Sequence, residues 1–265
     1  MKLPHDFAPK KSLGQHFLAD ENVARKIVRT IDPQPADVIV EVGPGFGGLT
    51  QYLVESGCRL IAIEIDQRLI PDLQKRFGNS QRFTLIHADF RKVDLAQLAG
   101  NAKIRVIGNI PYHITSSLIF TAFAQRQSMR DMILTIQKEV AERVVAKPGG
   151  KDYGILAIVS QTFAQTNLLF TISKHVFRPK PEIDSAVVRW QFQPPPIPIL
   201  NEHFYLELVK AAFSQRRKTL RRSLSKYLDA VAGPTPAAID LQRRPETLSI
   251  AEMITLANSL TPATP

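Results

Sequence analysis

The sequence predicts an α/β fold: a mostly parallel sheet closed at one edge by an antiparallel hairpin, followed by a small all-helical addition. Three observations predict it. Short apolar runs alternate with helical patterns from residue 37 to 137, two strand-like runs near 166–192 lack a helix between them, and only helical periodicity follows residue 200. With 265 residues and 44% hydrophobic content, the chain can bury a large core.

A flexible basic leader comes first, and Asp20 then reads as an N-cap. Val23, Ala24, Ile27, Val28 and Ile31 follow at helical spacing. Residues 37–42, DVIVEV, form a buried strand, and 48–56 a helix stopped by Gly57. Strands at 59–65, 82–87, 103–108 and 131–137 continue the rhythm, with helical patterns between them. Residues 166–172 and 185–192 are separated by a proline-punctuated loop too poor in helical signal for a crossover, so they pair antiparallel. Pro194-Pro195-Pro196-Ile197-Pro198 is a stiff linker. It places one domain at 1–193, with the leader, and a helical one at 199–265 that ends in a disordered tail from Thr261 to Pro265.

The single Cys58 excludes a disulfide framework and a cysteine-rich zinc site. Six scattered His residues offer no metal-ligand pair, so no metal is expected. No run approaches the roughly 18–20 apolar residues of a membrane span, and the N-terminus has no signal-peptide core; the protein is expected in the cytoplasm. A net charge of +10 suggests a polyanionic partner, although a solubility surface has the same sign.

Candidate chemistry sits at successive strand ends. Gly43, Gly45 and Gly48 follow the first strand, where the backbone must turn tightly and approach a nucleotide-like ligand closely. The same glycines satisfy a dinucleotide fingerprint and therefore admit a nicotinamide-dependent oxidoreductase. Glu64 ends the second strand, about twenty residues on, where an acid can accept from ribose hydroxyls; Asp66 better suits a helix cap. Asp89, after the third strand, can accept from an adenine amine or simply form a turn.

The fourth strand ends in Gly108-Asn109-Ile110-Pro111-Tyr112. An adenine amine is a poor nucleophile because its lone pair is delocalised into the ring. Acceptance of its N–H bonds by the Asn109 side-chain oxygen and the Ile110 carbonyl would stabilise positive charge developing on nitrogen. Pro111 stiffens that turn, and Tyr112 offers a face for stacking. An Asn-x-Pro loop with a core tyrosine is the plainer alternative. Finally, Lys210, Arg216, Arg217, Lys218, Arg221, Arg222 and Lys226 fall in a stretch without an acid, around Val209, Phe213, Leu220 and Leu224 on one face. Read as one continuous helix, this is a phosphate-gripping surface.

These motifs together resemble the ribosomal RNA adenine dimethyltransferases, in their small-subunit branch. The likeness runs nearly end to end. It comprises the leader Lys11-Ser12-Leu13-Gly14-Gln15-His16-Phe17-Leu18, the strand-end motifs EVGPGFGGLT, IEID, HADF and GNIPY, the late motif Phe177 to Val188, and FSQRRKTLRRSL at 213–224. It implies a Rossmann-like class I methyltransferase sheet that holds S-adenosyl-L-methionine through His16, Leu18, Gly43, Glu64, Asp89 and Asn109. It implies a catalytic set of Asn109, Tyr112 and Phe177, the last as a second aromatic wall opposite Tyr112. It further implies N6,N6-dimethylation of two adjacent adenosines in a hairpin loop near the 3′ end of 16S rRNA in the pre-30S particle, with Arg216, Arg217, Lys218, Arg221 and Arg222 of the basic stretch contacting RNA. Nothing in the sequence demands more than a monomer. A non-catalytic assembly factor and a large-subunit methyltransferase of the antibiotic-resistance type share most of these motifs.

Overall fold

Strands that are apolar on both sides need cover on both faces. That requirement organises the computed structural model, which describes residues 8, 10, 13–100, 102–215, 217–229 and 239–262. In chain order come strand β1 (Phe17–Leu18), helix α1 (Glu21–Ile31), β2 (Val38–Val42), α2 (Thr50–Glu55) and β3 (Arg59–Glu64). The alternation continues through α3 (Ile70–Phe77), β4 (Phe83–His87), α4 (Leu95–Ala99), β5 (Ile104–Asn109), α5 (Thr115–Ala124) and β6 (Met129–Gln137). Next are α6 (Lys138–Val144), α7 (Ile155–Phe163), β7 (Ala164–Ile172), the short β8 (Phe177–Arg178) and β9 (Ser185–Phe192). Helices α8 (Glu202–Phe213), α9 (Leu220–Ser223), α10 (Ser225–Leu228) and α11 (Ile250–Leu260) follow.

Two compact units result: Met1–Ala141 with Asn167–Phe192, and Glu142–Thr166 with Gln193–Pro265. The second therefore takes in 142–166 as well as the residues after the proline linker. The reason lies in α7, which buries Ala157, Ile158, Val159, Thr162 and Phe163 and needs a helical layer on more than one side.

In the first unit the strand order is β4-β3-β2-β5-β6-β9-β7. Strands β4, β3, β2, β5 and β6 are mutually parallel, and β9 runs antiparallel to β6 from Asp131↔Gln191 to Gln137↔Ser185. β7 lies beyond β9 at the edge, so the two late strands are neighbours, as expected of a hairpin pair. Strand order reverses at β2, which pairs with β3 on one side and β5 on the other. Helices leave such a pair in opposite directions, and a crevice opens beyond the carboxyl ends. α1 begins at Asp20, whose side chain accepts from the Val23 N–H, and it buries Ala24, Ile27, Val28 and Ile31.

At the amino ends of the same strands the charges pair among themselves. Arg105 is buried on β5 and donates to both Asp131 oxygens at 2.9 and 2.8 Å, and to Asp37 at 2.7 Å. Arg189 adds a bond to Asp131 at 2.9 Å.

In the second unit α8 packs against α7 and α11. Tyr205 is buried there with its hydroxyl 2.7 Å from Thr162 Oγ1, and α11 starts with a reciprocal Ser249–Glu252 capping box. The continuous basic helix expected over 210–226 is not formed. α8 stops at Phe213, Thr219 is extended, and α9 starts at Leu220. The Leu220 and Arg221 N–H groups donate to Arg243 O and Leu241 O, both at 2.9 Å, which satisfies first-turn donors that a continuous helix would have bonded internally. Val209, Phe213, Leu220 and Leu224 are nevertheless all buried, and Lys210, Arg217, Lys218, Arg221, Arg222 and Lys226 are exposed. Arg216, Lys11, Ser12 and the last three residues of the expected tail lie outside the described residues.

Candidate active site at the carboxyl ends of the strands

A cavity of about 280 Å³ opens at the switch point, close to the ~300 Å³ at which small-ligand pockets begin. His16, Leu18, Gly43, Glu64, Asp89, Asn109, Tyr112 and Phe177 all line it. They come from the leader with β1, from the ends of β2, β3, β4 and β5, and from β8.

The loop after β2 supplies the floor. Gly43, Gly45 and Gly47 have φ of 66°, 59° and 75°, the left-handed region that L side chains avoid. Gly47 therefore carries the third turn requirement, not Gly48. At Gly45 a Cβ would also stand 2.9 Å from the Phe17 ring, so a side chain there would clash as well as strain. α2 consequently starts at Thr50, two residues later than expected.

Two carboxylates flank this loop. Glu64, 3% exposed at the end of β3, accepts from the Gly45 N–H at 3.1 Å and the Asp66 N–H at 2.8 Å. Each bond uses one oxygen, and each oxygen keeps a further acceptor site. Burial raises its pKa against the lowering effect of those bonds. Glu41, one residue before the end of β2, is also buried and accepts from Thr50 Oγ1 at 2.7 Å. Burial lifts its pKa to about 8; the Thr50 bond offsets part of this and the Glu64 charge adds to it. Glu41 was not singled out from sequence, although it stands inside the quoted glycine motif.

Asp66 caps the turn after β3, as expected, accepting from the Arg68 N–H. It also receives the Arg68 guanidinium at 2.6 Å and Gln15 Nε2 at 2.9 Å, and Arg68, followed by the Gln15 amide, holds its pKa down at about 2 against burial. Gln15 thus fastens the leader to the β3 exit. Asp89 caps the turn after β4 and lies under Arg91, which lowers its pKa.

The leader and the late motif build one wall together. β1 pairs antiparallel with β8, Phe17 opposite Arg178 and Leu18 opposite Phe177. His16 Nδ1 lies 2.8 Å from Pro179 O and donates to it, since a carbonyl can only accept. Phe177 is 1% exposed and belongs to the same apolar cluster as Leu18, Ile107, Ile133 and Val187. The ring set against Tyr112 is that of His16, with centroids 5.4 Å apart and planes 32° from parallel. Tyr112 is further held by its hydroxyl, 2.9 Å from Ser185 Oγ, and burial raises its pKa. Neither partner could be read locally, since Ser185 lies 73 residues from Tyr112.

Asn109 ends β5 and donates Nδ2 to His16 O at 2.8 Å. That carbonyl fixes the orientation of the carboxamide: its NH₂ faces His16, and Oδ1 remains an acceptor. The Ile110 N–H donates to Thr135 O at 3.0 Å and its side chain is buried, while its carbonyl lies before the one-turn segment Tyr112–Ile114. The site is therefore rich in acceptors, suits a ligand bearing amines and hydroxyls, and places a fixed amide oxygen beside an aromatic face. Among the described residues no cluster of His, Cys, Asp or Glu could hold a metal, and no helix is long and apolar enough to cross a membrane.

Comparison with known proteins decides the family. The profile of "Ribosomal RNA adenine dimethylase" matches residues 7–262. The chain belongs to that family. The "Ribosomal RNA small subunit methyltransferase A" of Prosthecochloris aestuarii is 41% identical over 257 residues, covering 97% of this chain and 96% of the relative. Its namesake from Chlorobium phaeobacteroides is 40% identical over 257 residues, covering 97% and 95%. A dimethyladenosine transferase from Plasmodium falciparum shares the fold at 23% identity with a TM-score of 0.75, over 91% of this chain and 96% of that one. The 23S rRNA methyltransferase ErmE does so at 24% identity and 0.64, over 91% and 99%. A member of this family is an rRNA adenine dimethyltransferase, so the glycine loop does not mark a nicotinamide enzyme.

Proposed function

We propose that the chain dimethylates N6 of two adjacent adenosines in a hairpin loop near the 3′ end of small-subunit rRNA. In this reading it acts on the pre-30S particle as a cytoplasmic monomer. The relatives named for the small subunit, at about 40% identity, support that branch.

S-adenosyl-L-methionine, when bound, supplies a methyl group on a sulfonium, activated for direct in-line transfer to nitrogen. The residues present fit it. Glu64 keeps acceptor sites for the ribose hydroxyls, Asp89 for the adenine amine, and the loop at Gly43 admits close backbone approach. His16 and Leu18 close the cavity from the β1–β8 wall. Asn109 Oδ1 and the Ile110 carbonyl accept from the target amine, and Tyr112 stacks its base. A monomethylated amine keeps one N–H, so one acceptor suffices for the second transfer. Phe177 backs the base pocket from the core side. Arg217, Lys218, Arg221 and Arg222 hold phosphates.

The observation that carries the proposal is the Asn109 carboxamide locked by His16 O. Immature small and large subunits are incubated with enzyme and methyl donor, and modified adenines are mapped by primer extension. Paired stops in the small subunit alone are expected; stops confined to the large subunit would sink the assignment. Neutralising Arg217, Lys218, Arg221 and Arg222 together should reduce the salt dependence of RNA binding by up to about four phosphate contacts.

A further inference from the structure

Asp89 is gripped by a single near neighbour, Arg91. It is the cap of a one-turn segment, Phe90–Lys92, whose Phe90 is buried. Its Oδ1 accepts the Arg91 N–H at 3.0 Å and Arg91 Nε at 3.0 Å. Its Oδ2 accepts Arg91 Nη2 at 2.6 Å and a share of Nε at 3.1 Å. One residue thus grips the carboxylate through its backbone and side chain at once. A carboxylate offers about four acceptor sites. The backbone and the fork occupy both sites of Oδ1 and the inner site of Oδ2, leaving the outer site of Oδ2. Asp89 is 16% exposed and Arg91 37%, and both line the cavity.

A surface ion pair two residues apart ordinarily contributes little, because both side chains give up rotamer freedom for a screened attraction. Here the acid is half-buried in the cavity wall. We infer that Arg91 is a positioning residue for the cofactor's adenine: it locks Asp89 so that a single oxygen meets the exocyclic amine, and it thereby sets the preference for a 6-amino over a 6-oxo purine. This rests on the assignment of Asp89 to the adenine amine. An amine donates into the open site of Oδ2. A 6-oxo group brings a second acceptor against it, and a carboxylate that cannot rotate cannot relieve that repulsion. Without the fork, Asp89 can turn about χ1 and χ2, and the contrast between the two purines shrinks.

The test uses the full-length enzyme, with S-adenosylmethionine and its 6-oxo (inosyl) analogue as probes in calorimetric titrations. For Arg91→Met, Kd for S-adenosylmethionine should rise about five- to tenfold, as expected for loss of a charge-assisted bond that orders the contacting carboxylate. The ratio of the two Kd values should fall by a similar factor, and Arg91→Lys should recover part of it. Thermal melting checks that the variant is folded; the backbone bond from residue 91 to Asp89 survives the substitution. If Arg91→Met binds both donors as the parent does, the inference is overturned. Asp89→Ala separates the two levels. If it leaves Kd unchanged, the Asp89 assignment fails and this inference with it; if it weakens binding while Arg91→Met does not, only the role of Arg91 fails.

Discussion

The two ends of β2 carry acids in opposite circumstances. At the amino end Asp37 meets Arg105 at 2.7 Å, with Arg130 beyond it at 3.5 Å. Burial raises the Asp37 pKa, but the Gln34 N–H and the two arginines outweigh it, and the net value lies below the ordinary one. At the carboxyl end Glu41 has the Thr50 hydroxyl and backbone as partners, no cation, and Glu64 as a like-charged neighbour, so burial wins. At the amino end Asp37 and Asp131 are paired within the protein. At the carboxyl end Asp66 is paired in the same way, whereas Glu64 and Asp89 keep an acceptor site beside a cavity. The same sheet thus satisfies its acids internally at one end and leaves two of them able to take a ligand at the other.

The largest expected effect breaks the paired end. Asp131→Ala leaves Arg105 and Arg189 without their shared acid and should destabilise by about 3–5 kcal/mol in chemical denaturation. Whatever fraction stays folded should keep its kcat/KM. Asn109→Ala is the mirror image. It should cost roughly a hundredfold in kcat, on the order of 3 kcal/mol of transition-state stabilisation, with the melting temperature nearly unchanged. An Asn109→Ala enzyme that methylates rRNA at the parental rate would remove the catalytic role given to that residue.

Two smaller tests turn on the sign of a pH dependence. For Glu41 the folded value lies above the unfolded one, so the folded state binds more protons between pH 4.5 and about 8, and stability falls as pH rises across that window. Glu41→Gln has no such proton to lose. Its advantage in unfolding free energy should grow by roughly 3 kcal/mol from pH 5 to 8 and then level off. For Asp37 the sign reverses, because its folded value is depressed. Asp37→Asn should cost about 1 kcal/mol above the unfolded carboxylate range, and the difference should vanish as pH falls through the folded value. If both variants showed the same slope, the contrast between the ends would be an artefact of burial alone.

Much of this was readable along the chain because the parallel strands announce themselves. VIVEV and RLIAIE are apolar on both faces, and each ends on the residue that faces the cavity. Gly43, Glu64, Asp89 and Asn109 were legible as a series for that reason. Contacts between distant segments were not. His16 on Tyr112, Tyr112 on Ser185 and the leader on Asp66 have no local periodicity to betray them. The break in the basic helix was hidden by coincidence. Phe213, Leu220 and Leu224 keep a helical spacing of seven and four across a turn that is not helical, because each side of the turn buries its own apolar residue. The membership of 142–166 in the second unit was masked similarly, since α7 runs directly into β7 with no loop to mark a change.

The short β1–β8 pairing has a consequence for the chain as it is made. Residues 16–18 are synthesised some 160 positions before their partners at 177–179. Until that late segment has been added, the leader has no strand to lie against, and the His16 carbonyl that orients Asn109 has no fixed place. The central parallel strands can assemble beforehand, but the methyl-donor cavity cannot close. A nascent or prematurely terminated chain ending before Phe177 would therefore carry most of the sheet and no competent site, and methylation activity would appear only after the final closure of a very long loop.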